Sequence, residues 1–92
     1  MSSGRIKITP QQIRSAATQF KNSSRQSNDM IVTLTNQMNS MQGEWEGMSS
    51  QKFYSDFQQW KTTMTQFVTL LNDIGGQLDA IATRFEQADR PG

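Results

Sequence analysis

The sequence contains no cysteine and no histidine. Disulfide frameworks, thiol chemistry and the two commonest transition-metal ligands are excluded together, and compartment cannot be read from redox usage. Only Pro10 and Pro91 interrupt 92 residues, so long helices are permitted through almost the whole chain. Charge is sparse, at 18% of residues with a net value of +1, and 34% of residues are hydrophobic. That composition belongs neither to a membrane-embedded chain nor to a disordered one; it describes one small domain with a thin core. Met1 to Gln12 holds only Ile6 and Ile8 as strongly apolar residues after the start. No cleaved secretory signal is therefore expected.

The same absences bear on chemistry. Without His or Cys the remaining catalytic candidates are carboxylates, lysines, hydroxyls and Tyr54, and no motif arranges them, so the reading is of a protein that is not an enzyme and takes no cofactor. Glu44 and Glu46 are the closest acid pair, but at the tip of a hairpin they have no pocket to exclude water. Twelve glutamines supply the polar surface, where a membrane-surface helix would carry Lys and Arg, so stable membrane insertion is not expected. Arg5, Lys7, Arg14, Lys21 and Arg25 are dispersed, with Phe20 alone interleaved, a poor footprint for nucleic acid.

What is present is a seam. Phe53, Phe57, Trp60, Met64, Phe67, Leu71, Ile74, Leu78, Ile81 and Phe85 recur at alternating steps of four and three. This heptad pattern predicts one long helix with a single apolar stripe, whereas a strand would require alternation every second residue. The helix is expected from about Ser49 to Ala88, with Ser49 or Ser50 as its cap. Upstream, Thr9, Pro10 and Gln12 have the order of a helix start, a capping Thr with Pro at the first helical position and Gln three residues after the cap. Apolar and small residues from Ile13 to Met41 share one face and predict a first helix over about 10–42. Residues 1–8 and 90–92 are expected to be flexible ends.

Gly43-Glu44-Trp45-Glu46-Gly47 reads as a tight connection, Gly43 ending the first helix in the left-handed conformation, so the helices must fold back antiparallel. Folding about Trp45 sets Ser23, Ser24 and Ser27 opposite Trp60, Met64 and Phe67, and Ala16 and Ala17 opposite Ile74 and Gly75. Residues 1–42 carry a net +4 and 43–92 a net −3, which favours the same pairing, with the basic start of the first helix meeting Asp79 and Glu86. Tyr54, Val68 and Ala82 widen the stripe to three positions per heptad, a width suited to a four-helix bundle assembled from two copies. Gly75 lies on that widened edge, where a partner backbone could come close. The Gly75-Gly76 pair is either a kink or break or a site of close packing, since each helical glycine costs about 1 kcal/mol relative to alanine.

Two residues stand where structure alone would not put them. Trp45 is a large aromatic on a short connection; it either tucks onto its own hairpin or fills a partner's groove. Asp89 opposes the helix dipole, and with Phe85 four residues earlier it forms either a solvated end or a recognition edge.

The Trp45-Glu46-Gly47 turn between two long amphipathic helices, with Phe85-Glu86-Gln87-Ala88-Asp89 at the tail, resembles the WXG family of ESAT-like proteins over essentially the whole chain. The resemblance implies an all-α antiparallel two-helix hairpin dimerising into a four-helix bundle, exported by a type VII secretion system as a folded dimer without a cleaved signal peptide. It further implies that Trp45 and Gly47 supply a turn element and Phe85 and Asp89 a tail element, read together by the membrane ATPase of the system. Phe85 stands where many members have tyrosine, which keeps the ring and loses the hydroxyl; as the last residue of the seam it could equally be core alone. Family members form homodimers or heterodimers with a related WXG protein, and a chain carrying both motifs favours the homodimer. The alternative reading is a cytoplasmic structural bundle or chaperone-like partner of a larger type VII cargo.

Overall fold

A computed structural model of the chain describes residues 8–42, 44 and 48–88. Within them lie two helices, α1 (Pro10–Gln42) and α2 (Met48–Ala88). At the start of α1, Thr9 Oγ1 accepts from the Gln12 amide at 3.1 Å and Gln12 Oε1 accepts from the Thr9 amide at 2.9 Å. Two amides that the helix cannot satisfy are thus paired reciprocally, while Pro10 has no amide to satisfy. After α1 ends, the Glu44 amide donates to the Met41 carbonyl at 3.0 Å. Gly43, to which a left-handed helix end was assigned from sequence, lies outside the described residues. Because α2 begins at Met48, Ser49 and Ser50 stand inside its first turn. A cap precedes the first helical residue, so neither serine is the cap expected from sequence.

The helices run antiparallel, and three contacts fix their register. Tyr54 Oη donates to the Met38 carbonyl at 2.9 Å, Ser24 Oγ donates to the Val68 carbonyl at 2.9 Å, and Gly75 lies against Ala17 and Lys21. Met38 and Tyr54, Ser24 and Val68, and Ala17 and Gly75 are each equally distant in sequence from position 46. The fold-back is therefore centred one residue later than Trp45. Ser24 meets Val68, and not Met64 or Phe67 as the sequence reading placed it.

The inner lines follow the heptad on both helices. On α1 the buried residues are Ile13, Ala17, Ser24, Ile31 and Met38. Facing them every seventh residue of α2 are Tyr54, Lys61, Val68, Gly75 and Ala82, of which Gly75 and Ala82 are buried and the others half-buried. This is the edge that the sequence reading gave to a partner chain; the structure gives it to α1. The helix passes through Gly75-Gly76 without a break, and the two glycines differ. A Cβ on Gly75 would stand 2.7 Å from Lys21 Cγ and 3.1 Å from the Ala17 carbonyl oxygen, whereas one on Gly76 would meet nothing within 4 Å. Gly75 is thus the point of close packing, and what approaches it is α1 of the same chain, not a partner backbone.

The product is a slab with extents of 69 × 24 × 15 Å. Two helices cannot surround anything. Among the described residues no large side chain is fully covered; those with no exposure at all are Ala17 and Ala82.

Candidate functional site

The seam occupies the α2 positions immediately beside the line that faces α1. Since successive helical residues are about 100° apart, the seam is turned to one broad side of the slab. Phe53, Phe67 and Phe85 keep 43%, 44% and 38% of their surface exposed. Phe57, Trp60, Met64, Leu71, Ile74, Leu78 and Ile81 are half-buried against the flank of α1. On that flank α1 adds Phe20, Met30, Leu34 and Met41, with Ala16, Ser23 and Ser27 between them. No residue of the seam or of this α1 flank is charged.

Towards the turn end of the slab, Leu34, Gln37 and Met38 of α1 and Phe53, Asp56, Phe57 and Trp60 of α2 line an open groove of about 380 Å³. Phe57 and Trp60 stack there with ring centroids 5.3 Å apart, and the Phe53 ring meets Tyr54 edge-on at 6.1 Å. The groove forms where the inner contacts are made by long side chains, Met38 and Tyr54. Further along, Gln19, Phe20, Ser23 and Leu71 line a smaller depression on the same side.

The opposite side is polar and ion-paired. Arg14 Nη2 donates to Glu86 Oε1 at 2.7 Å and to Thr83 Oγ1 at 3.0 Å, while its Nε donates to Glu86 Oε2 at 3.3 Å. Its Nη1 lies 3.5 Å from Asp79 Oδ1, and Lys21 Nζ donates to Asp79 Oδ2. The hydrogen bond from Lys21, helped by the charges of Lys21 and Arg14, holds the Asp79 carboxyl below its ordinary value against the opposing effect of desolvation. The Arg14 guanidinium is pushed up, first by its hydrogen bond to Glu86. These groups are solvent-accessible and screened, so their main effect is on orientation. They tie the basic start of α1 to the acidic end of α2, the pairing that the charge asymmetry indicated. Nearer the turn, Asn28, Thr35, Lys61 and Thr65 line a groove on this polar side.

Of the motif residues singled out from sequence, Trp45, Glu46, Gly47 and Asp89 lie outside the described residues. Phe85 is in the last turn of α2. The register sets Pro10 level with Ala82, so the backbone of α2 continues past the start of α1, and Phe85 on this last turn is 38% exposed. Sequence reasoning did not place Leu34 and Met38 at the groove. The available signal was their three- and seven-residue spacing from Ile31, which assigns Met38 to the inner line and Leu34 to its apolar flank. Among the described residues no group of three or more His, Cys, Asp or Glu could hold a metal ion, and no helix is long and apolar enough to cross a membrane.

The family model described as proteins of 100 residues with WXG matches residues 5–90. The ESAT-6-like protein SAG1039 of Streptococcus agalactiae is 32% identical over 84 residues, covering 91% of this chain and 88% of its own. The type VII secretion system extracellular protein A of Staphylococcus aureus is 28% identical over 85 residues, covering 92% of this chain and 88% of its own. The crystal structure of the secreted protein EsxB of Bacillus anthracis superposes with a TM-score of 0.84 at 35% identity, covering 94% of this chain and 98% of that one.

Proposed function

The chain belongs to the WXG100 family, and from that premise we propose that it is a type VII secretion substrate, exported as a folded homodimer and acting through protein contacts as an effector or export adaptor. The observation that carries the dimer is the broad side built on the seam, whose seam and α1-flank residues carry no charge and whose phenylalanines are half-exposed, in a molecule whose described residues include no fully covered large side chain. Burying a Phe or Leu that would otherwise stay wet is worth about 1.5–3 kcal/mol. A thin hairpin gains most by covering this face with a second one. The secretion relatives support the route, and the partial exposure of Phe85 on the last turn of α2 suits a tail element read together with Asp89 and the Trp45-Glu46-Gly47 turn by the secretion ATPase.

Export tests the reading. The uncleaved chain is expected in the culture medium of a host carrying the system, and is expected to disappear from it when the ATPase is deleted. Phe85→Ala and Asp89→Ala, in protein shown by light scattering to remain dimeric, should lower secretion, while Phe85→Tyr should not. Retention of the wild-type chain in the cytoplasm of a secretion-competent host would favour the cytoplasmic partner of a larger cargo; normal export of both alanine variants would reject the tail element alone.

A further inference from the structure

Three cations among the described residues are half-buried, Arg14, Lys21 and Lys61. The first two are held by Glu86 and Asp79. Lys61 has no acid within ion-pairing distance among the described residues: Asp56 is taken by Lys52 at 3.0 Å, and Asp29 forms no ion pair there. Lys61 also stands on the inner line of α2, level with the buried Ile31, where Tyr54, Val68, Gly75 and Ala82 carry no charge. A lysine stem can cover apolar surface at such a place, but so can a methionine. What the lysine adds is an ammonium group.

Lys61 lines the groove of about 200 Å³ on the polar side, together with Asn28, Val32, Thr35, Asn36 and Thr65. Thr35 Oγ1 donates to the Ile31 carbonyl at 2.7 Å and Thr65 Oγ1 to the Lys61 carbonyl at 2.8 Å. Both hydroxyl protons are thus spent within their own helices. The donors left over are the Lys61 ammonium and the side-chain amides of Asn28 and Asn36, none of which has a partner among the described residues. Two amide donors beside one uncompensated positive charge are the complement of a carboxylate. Val32 keeps 51% of its surface exposed beside them, an apolar contact that a bare inorganic anion would not use.

The groove is smaller than the roughly 300–1,000 Å³ of a site that encloses a metabolite or cofactor, and its size suits a single side chain. We infer that it docks an acidic segment of a partner protein, with a Glu or Asp carboxylate seated on Lys61 and the Asn28 and Asn36 amides, and a neighbouring apolar residue on Val32. The inference rests on the reading above that the chain acts through protein contacts. It assigns that contact to the side opposite the seam, which stays open when the seam is covered.

Titration of the isotope-labelled full chain with the dipeptide N-acetyl-Leu-Glu-amide, followed by NMR, tests the site, with N-acetyl-Leu-Gln-amide and inorganic phosphate as controls. The acidic peptide should give saturable shifts at the Val32, Thr35 and Thr65 backbone amides and at the Asn28 and Asn36 side-chain amides. Affinity should fall about tenfold or more for the glutamine peptide, as expected when a charged hydrogen-bond partner is lost. Lys61→Met keeps an apolar stem over Ile31 and should cause the same loss with helix content retained by circular dichroism, whereas Lys61→Arg should preserve binding. Equal binding of the two peptides, binding that survives Lys61→Met, or phosphate matching the acidic peptide would overturn the inference. So would the absence of saturable shifts in the wild type, which would leave Lys61 as a packing stem. None of these results alters the export reading, which the secretion assay decides separately.

Discussion

Two lines of residues run side by side along α2, and they are treated oppositely by the fold. Tyr54, Val68, Gly75 and Ala82 face α1, and at the open half of the hairpin they are small enough for the backbones to come close. Phe53, Phe67, Ile74 and Ile81, each one residue earlier, carry the larger apolar surface and yet remain half-buried or exposed. The smaller line is spent on holding the hairpin shut and the larger is left on its surface. A hairpin of two helices has one contact seam, so bulk placed beside that seam serves a second layer. The lesson is that hydrophobicity along a helix ranks what must eventually be covered, whereas side-chain size ranks what can be covered first.

Substitution on the two lines should separate these roles. Ile31, 4% exposed on the inner line of α1, should cost about 2–5 kcal/mol as Ile31→Ala, lowering the denaturation midpoint at every protein concentration. Phe67→Ala should instead act on assembly: a loss of about 2–4 kcal/mol, some 30-fold or more in dissociation constant, measured by sedimentation, with little change in helix content above the new dissociation constant. If the two variants behaved alike in both measurements, the division between hairpin and dimer lines would fail.

The glycine pair gives a finer contrast. Gly76→Ala should stabilise the protein by about 1 kcal/mol, because it adds helix propensity in open space. At Gly75 the Lys21 stem can shift but the Ala17 carbonyl cannot readily do so, and Gly75→Leu should cost about 1–3 kcal/mol through overpacking. Urea titration of both variants distinguishes a tolerance for glycine from a need for it.

The smallest effect belongs to the charged side. The Asp79 carboxyl has its pKa lowered from an ordinary value of 3.8 by Lys21 and Arg14. A group depressed in the folded state contributes stability that is full above its unfolded value and is lost as pH falls through the folded one. Wild type should therefore lose a small increment on acidification from about pH 4 downward, and Asp79→Asn should flatten that part of the pH profile and reduce its sensitivity to salt.

Some of this was legible in the chain. Thr9, Pro10 and Gln12 announced the reciprocal cap because capping is a matter of three consecutive spacings. The seam announced α2, and the charge difference between the halves announced Arg14 and Lys21 against Asp79 and Glu86. The inner line was not legible: it contains Lys61 and Gly75, which carry no apolar signal, and it sits one residue from a stripe that does. Trp45 and Asp89 stood out by position, an aromatic on a short connection and an acid at a helix C-terminus, but their export role was read from resemblance to a family, and the spacing of Phe85 alone left its two roles undivided.

The sequence by itself determined the two helices, their antiparallel return and the apolar stripe, because caps, periodicity and a short connection act over a few residues of chain. Only the tertiary structure decided which line of α2 turns inward. That choice depends on how near two backbones can approach, and Ala17, Ser24, Gly75 and Ala82 permit the approach by being small, a property that becomes visible when the helices are set against each other and not before.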